Sequence, residues 1–338
     1  MKIYLEGFFY HLCQYPKTVT NFQSINEIPN DCDIVAVSFM NNRWHEYQQI
    51  IQDLSTRTKK LLVNLSEPTP GNMSFTDFVD SINYDNVYLF SDVVFNHAPT
   101  VNIETIVSWF INSDNIYVSQ PWAQERIKKL HRVFNTLHRP YMFDCLLGTR
   151  RRHRDIIESY YTNSIHRDKF IFSYHNQVLE HGIWDADVDD YQLWFGPGEP
   201  PPNFGGSPVP RQQVLPLDIY NQSFYSIVAE TTTENSYNQY TEKVAKPMIA
   251  KRVFVAFAGQ HYLANLRHLG FQTFSSVMDE SYDTIADLDQ RMAAAWAQVE
   301  WLCEQDPEHI HRRIRWVLQH NQEHFLKTDW HSAIRKHF

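Results

Sequence analysis

Short apolar runs alternate with helix-length polar stretches along most of the chain, and few folds accommodate that pattern. In the first third, residues 1–7, 33–39, 60–65 and 86–91 read as strands, rich in Val, Ile, Leu, Phe and Tyr and bounded by Asn, Asp or Pro. Between them, residues 42–54 and 74–82 read as helices, the second opened by Ser74 with Asp77 three residues on. Such alternation predicts a mostly parallel sheet with helices on its faces, because parallel neighbours need a crossover that a helix supplies. A longer helix is expected over 121–137.

A second α/β set begins near Arg139, with strands at 140–147 and 169–174 around a helix at 151–161. Residues 177–215 break the rhythm. They contain Gly196-Pro197-Gly198-Glu199-Pro200-Pro201-Pro202 and Gly205-Gly206-Ser207-Pro208, which reads as a long surface loop or lid. Alternation then resumes, with strands at 223–229, 252–257 and 271–275 and helices at 241–250 and 261–269. Pro247 inside the first of these helices predicts a bend there or an early end. The last stretch is helical: Ile285, Leu288, Met292, Trp296, Val299 and Cys303 form one apolar stripe, and Ile310, Ile314, Val317 and Leu318 another after the Asp306-Pro307 cap. The expected organisation is a first α/β domain at 1–138, a second α/β domain at 139–282 carrying the 177–215 insertion, and helices at 283–338 packing across both.

The chain has 338 residues and a formal charge of −9, yet its charge is uneven. From Arg126 to Lys169 there are 11 Lys/Arg against 4 Asp/Glu, whereas Gln177 to Tyr240 holds 9 Asp/Glu against one Arg. Something anionic is expected to meet the first stretch. The four cysteines, Cys13, Cys32, Cys145 and Cys303, are scattered without a CxxC pair and read as reduced thiols. Neither a secretory signal nor a run able to span a bilayer is visible, so a soluble cytoplasmic protein is expected.

Chemistry concentrates in the second set. A strand ends in the carboxylate of Glu230, a loop with Glu234, Asn235 and Ser236 follows, and Thr241 caps a helix with Glu242 and Lys243 in its first turn. Free N–H groups at a helix start attract anions, Lys243 adds positive charge for a phosphate, and a carboxylate suits a ribose diol. The order Glu-Asn-Ser, Thr-Glu-Lys, then an apolar strand ending in Gly259 resembles the nucleotide-sugar half of GT-B glycosyltransferases, in particular the α1,3-fucosyltransferase-like families and related phage enzymes. Upstream, the strand from Tyr141 to Leu147 with Gly148-Thr149-Arg150-Arg151-Arg152-His153-Arg154 is similar to the basic loop that meets the sugar diphosphate in those families. Guanidinium forks suit that role, since they donate in pairs to phosphate oxygens.

The resemblance implies two Rossmann-like domains facing a cleft, with C-terminal crossover helices, and an enzyme. The donor would be a UDP- or GDP-linked sugar held through Arg150, Arg152, Arg154, Glu230, Asn235, Ser236, Thr241, Glu242 and Lys243, with no metal required. Inversion at the sugar needs a base for the acceptor hydroxyl. Glu67, after the 60–65 strand, is the first candidate and Asp92 the second. The acceptor is expected to be a glycan or small hydroxyl compound, or hydroxymethylated phage DNA. A non-catalytic nucleotide- or nucleic-acid-binding protein is the alternative from another class. Asp185-Ala186-Asp187 matches a metal-binding Asp-x-Asp element but sits in an acidic loop, and no metal site is expected there.

Overall fold

The computed structural model describes residues 2–5, 19–21, 24–40, 44–66, 75–96, 103–134, 139–174, 203–204, 207–208 and 214–337. Glu67, Asp185, Asp187 and nearly all of the 177–215 insertion lie outside them. The chain divides into two compact units, Met1–Asn112 with Asp329–Phe338, and Ser113–Thr328.

The first unit is built on strands β1 (Ile3–Leu5), β2 (Val19–Asn21), β3 (Cys32–Met40), β4 (Thr58–Ser66), β5 (Val87–Ser91) and β7 (Ile103–Thr105), with a short β6 (Val93–Phe95) after β5. Six of these form one sheet in the order β2-β1-β3-β4-β5-β7, every pairing parallel. Val35, Ala36 and Val37 of β3 and Leu61, Leu62 and Val63 of β4 are all buried, so successive residues on both faces are covered. That is the signature of a parallel sheet sandwiched by helices. Helix α1 (Trp44–Arg57) covers part of one face, with Tyr47 stacked on Phe39 at 4.4 Å. Helices α2 (Phe75–Asp80) and α3 (Ser108–Tyr117) follow, and the division between the units falls inside α3.

The second unit carries β8 (Tyr141–Leu147), β9 (Phe170–Tyr174), β12 (Ser223–Ala229), a short β13 (Tyr237–Gln239) and β14 (Val253–Phe257); four of these form a sheet ordered β14-β12-β8-β9 and again parallel throughout. A two-residue antiparallel pair, β10 (Asn203–Phe204) with β11 (Ser207–Pro208), is described within the insertion, as are Val214 and Leu215 at its end. Helix α4 (Pro121–Phe134) belongs to this unit, so the join expected near Arg139 lies within it. Two hydrogen bonds account for that: Arg126 of α4 donates to the Leu215 carbonyl at 3.0 Å, and the Leu215 N–H donates to the Tyr117 hydroxyl at 2.7 Å. Helices α5 (Arg152–Asn163), α6 (Leu217–Gln222), α7 (Glu242–Ile249), α8 (Tyr262–His268), α9 (Leu288–Cys303) and α10 (Pro307–Lys327) complete it.

Two local expectations resolve differently. Pro247 does shorten its helix, which ends at Ile249; the chain turns through Lys251 at φ 54° and the Arg252 N–H donates to the Pro247 carbonyl at 2.9 Å. The strand expected at 271–275 does not form. Phe271 and Phe274 are buried as an alternating strand would bury them, but the Gln272 backbone bonds the Asn321 side-chain amide at both N–H and carbonyl, 2.8 Å each. An amide side chain on α10 thus takes the place of a neighbouring strand. The Asp306-Pro307 start is as expected, with Asp306 accepting from the Glu308 N–H at 2.9 Å.

The closing helices α9 and α10 pack within the second unit, and only Asp329–Phe338 rejoins the first. There α11 (Ser332–Arg335) places Ile334 in the core cluster with Ile3, Leu5, Ile34, Leu62 and Phe90. Trp330 meets Phe110 edge-on at 5.2 Å, and Lys60 donates to the His337 carbonyl at 3.1 Å.

Candidate functional site

Strand order reverses between β8 and β12: the chain proceeds from β8 outward to β9, then returns to lay β12 and β14 on the other side. A reversal of this kind leaves a crevice beyond the carboxyl ends of the two central strands, because their following segments diverge to opposite sides. In the first unit the corresponding reversal lies between β1 and β3, and the residues just after both strands are outside the described ones. In the second unit β8 leads into Gly148, Thr149 and the arginine run, and β12 leads into Glu230. The two stretches singled out in the sequence therefore meet at one place.

They meet through a buried layer. Arg154, 3% exposed, donates to the carbonyls of Thr149 at 2.6 Å, Glu230 at 3.3 Å and Ala229 at 3.4 Å. Beside it the His153 Nε2 donates to the Glu230 carbonyl at 2.9 Å. The Glu230 side chain is fully buried: it accepts from the Thr241 hydroxyl at 2.7 Å, the Tyr262 hydroxyl at 2.8 Å and the Thr241 N–H at 3.2 Å. Burial pushes its carboxyl up from the usual range, with Lys243 opposing. Expected at a ribose, Glu230 in this structure fixes Thr241 and so the start of α7.

Thr241 caps α7 as expected, its hydroxyl accepting from the Lys243 N–H at 3.2 Å. The helix start consequently offers fewer free N–H groups than the sequence suggested, since those of Thr241 and Lys243 are engaged by Glu230 and by the cap. Positive charge comes from side chains instead. The Lys243 ammonium lies 2.9 Å from Glu242, 3.3 Å from the Thr241 hydroxyl and 3.5 Å from that of Thr231, and it remains partly open to solvent. Burial alone would raise the Glu242 carboxyl, but Lys243 and Lys246 more than offset it and hold it low. Lys246 is buried, and that burial pushes it down to about 8.

The arginine run divides by depth. Arg150 is exposed and pairs with Asp155 at 3.1 Å; Arg152, also exposed, forks onto Asp289 at 2.8 and 2.9 Å. Arg151 stands between, and its Nε, like that of Arg154, is buried with no hydrogen-bond partner. Two orphaned guanidinium nitrogens are a costly arrangement for a closed protein. The wider basic stretch is less available than its charge count implied, because Arg126, Arg139 and Arg154 are buried on backbone carbonyls and Lys169 donates to the Cys303 carbonyl at 2.8 Å.

Asn235 and Ser236 are exposed, and the Asn235 amide donates to the Ala286 carbonyl at 2.8 Å. That loop is held by Arg291, which the sequence did not mark out: its guanidinium donates to the carbonyls of Thr233, Ala258 and Ala286, each at 3.1 Å. Gly259 lies against it so closely that a Cβ would sit 2.2 Å from the Glu234 carbonyl oxygen, which explains the glycine ending the apolar strand. Asp283 secures the next turn, accepting from the N–H groups of Leu263 at 2.8 Å and Ala264 at 2.9 Å. Neither Tyr262, Asp283 nor Arg291 follows a motif that could have exposed its role; only His153 and Arg151, inside the basic run, carried a signal.

Asp92 follows β5 and is fully buried, accepting from the Ser108 hydroxyl at 3.4 Å. Cys32, Cys145 and Cys303 are buried free thiols. Among the described residues no three His, Cys, Asp or Glu side chains are grouped to hold a metal ion, and no helix is long and apolar enough to cross a membrane.

The buried histidine makes the site's stability depend on pH. Burial, and then the neighbouring Arg154, push His153 down to about 3 from 6.5. The folded state thus binds this proton less readily than the unfolded chain, so its contribution is complete above pH 6.5 and is lost as pH falls towards 3. His153→Gln, which keeps a donor for the Glu230 carbonyl, is expected to flatten the fall in unfolding free energy between pH 6.5 and 5 by up to about 1.4 kcal/mol per pH unit. Urea titrations at several pH values measure this, and equal slopes for the two proteins would refute it.

No family model matches the chain, and no curated protein matches its sequence. A solved structure that is similar to it is a crystal structure of α1,3-fucosyltransferase with GDP-fucose. The TM-score is 0.40 at 10% identity, covering 94% of this chain and 90% of that one.

Proposed function

We propose that the chain is a glycosyltransferase that moves a sugar from a nucleoside-diphosphate sugar to an acceptor hydroxyl, with the donor held by the second unit. The observation that carries this is the crevice at the β8/β12 reversal. It gathers the arginine run and the Lys243 ammonium beyond the ends of adjacent parallel strands. Cations concentrated there suit a diphosphate, and they act most where charge grows as the phosphate oxygen leaves the sugar carbon. Arg150, Arg151 and Lys243 are the groups assigned to that oxygen, with Arg152 at the rim. Arg154, Glu230, Thr241 and Glu242 act beneath as positioning residues, and Asn235 and Ser236 border the base or ribose. The resemblance of Thr241-Glu242-Lys243 and of the Gly148 to Arg154 loop to fucosyltransferase-like enzymes supports the same assignment and a UDP- or GDP-linked donor used without a metal.

The acceptor oxygen would attack the sugar carbon from the side opposite the diphosphate, inverting it, as its proton passes to a carboxylate. Glu67, which follows β4 directly, is assigned that role in preference to Asp92, whose full burial keeps it from solvent. The acceptor is assigned as a glycan or other small hydroxyl compound. Hydroxymethylated DNA is the weaker assignment, because so much of the basic stretch is engaged internally. Incubation with a panel of UDP- and GDP-sugars should release nucleoside diphosphate for at least one donor. Binding without release or transfer would replace the enzyme reading by that of a nucleotide-binding protein.

A further inference from the structure

A second concavity lies in the same unit, away from the strand ends. Its volume is about 520 Å³, and it is lined by the loop Ser275–Asp279, by α9 through Gln298 and Trp301, and by Arg313 of α10. Met278 and Val277 are buried beneath it, whereas Trp301, at 39%, is one of five exposed large apolar side chains among the described residues. Among the described residues the Trp301 ring has no aromatic partner, and the Ser275 and Ser276 hydroxyls and the Gln298 amide nitrogen have no hydrogen-bond partner. The walls are nevertheless fixed: the Gln298 side-chain Oε1 accepts from the Asp279 N–H at 3.0 Å, and Arg313 donates to the Ser276 carbonyl at 2.7 Å. Preformed walls, an open indole and free hydroxyl and amide groups are what a small polar ligand with one apolar face requires.

Charge narrows the ligand further. One guanidinium and one carboxylate line the cavity, and the Ser281 N–H and hydroxyl on Asp279, each at 2.8 Å, hold its carboxyl below the usual range. A phosphate or a nucleic-acid backbone would meet that fixed negative charge, and a cation would meet Arg313. A neutral polyhydroxylated ring meets neither penalty: its C–H face covers the indole while its hydroxyls pair with Gln298, Asp279 and Arg313.

We propose that this cavity is a binding site for neutral carbohydrate, distinct from the donor crevice, with Trp301 as its stacking platform. The inference does not rest on the glycosyltransferase reading; it would hold equally for a non-catalytic protein.

The full chain is titrated with linear oligosaccharides of glucose, of N-acetylglucosamine and of mannose, and with a heparin oligosaccharide and single-stranded DNA as anionic probes. Calorimetry reads the affinity, and nucleoside diphosphate binding is measured in parallel. At least one neutral series is expected to bind. Trp301→Ala should weaken it about tenfold and Trp301→Phe should restore most of the loss, with nucleoside diphosphate binding unchanged. Arg313→Ala, at an exposed position, replaces Trp301→Ala if the latter fails to fold, and should also weaken binding severalfold. No binding of any neutral series at millimolar concentration, binding indifferent to both substitutions, or binding of the anionic probes alone would each overturn the proposal. Absence of nucleoside diphosphate binding with neutral carbohydrate binding intact would instead count against the donor assignment only.

Discussion

Arg252→Ala is expected to destabilise the second unit by roughly 3–5 kcal/mol, the usual consequence of removing one partner of a buried ion pair. Arg252 is 1% exposed. It pairs with Asp144 at 2.5 Å and also donates to the Ser226 and Ser223 hydroxyls at 2.9 and 2.8 Å, and to the carbonyls of Ser223 and Tyr225 at 2.8 Å and Tyr220 at 3.0 Å. The guanidinium also lies over the Tyr220 ring at 4.2 Å. Taking it away strands the Asp144 carboxylate, which burial already pushes up and which Arg252 chiefly opposes. The measurement is the urea midpoint. Because the penalty comes from the stranded charge, Asp144→Leu combined with Arg252→Met should recover much of the loss; a double variant no better than Arg252→Ala would show that the hydrogen bonds, and not the charge, dominate.

Lys243→Met is expected to weaken nucleoside diphosphate binding roughly ten- to a hundredfold, since a hydrogen bond to a charged group contributes about 1.5–3 kcal/mol. The same change removes the 2.9 Å partner of Glu242, a carboxylate 5% exposed, so stability falls with it. Adding Glu242→Gln separates the two effects. The double variant should regain the melting temperature while binding stays weak, because the neutral amide no longer needs a cation but the phosphate still does. Unchanged affinity in Lys243→Met would remove Lys243 from the donor site and with it the main support for the proposed activity.

Strand positions were legible wherever a run of apolar residues was long enough to be buried on both faces, as at β3, β4, β12 and β14. Failure came where side chains act as secondary structure. Phe271 to Phe274 has the alternation of a strand, yet Asn321, fifty residues on, satisfies its backbone. The short β2 and β7 strands have three residues each and carry no periodic signal. At the candidate site, residue types were readable but their depth was not. An arginine at 150 and one at 154 look alike in a sequence, while in the structure the first lies in solvent and the second props two strand ends. Likewise Glu230 reads as a ligand group until its oxygens are found on Thr241 and Tyr262.

The return of Asp329–Phe338 to the first unit has a consequence for how the protein is made. Ile334 belongs to the same core as Ile3 and Leu5, so those strand residues wait for a partner made only after the whole of the second unit. At about 5–20 residues per second, the roughly 220 intervening residues take on the order of 10–40 s to synthesise. Throughout that interval β1 and β3 to β5 lack the Ile334 side chain, and at its close the second unit has its whole sequence while the first still lacks Asp329–Phe338. A chain truncated just before Asp329 and released from the ribosome should therefore show a protease-resistant second unit and a cleavable first one.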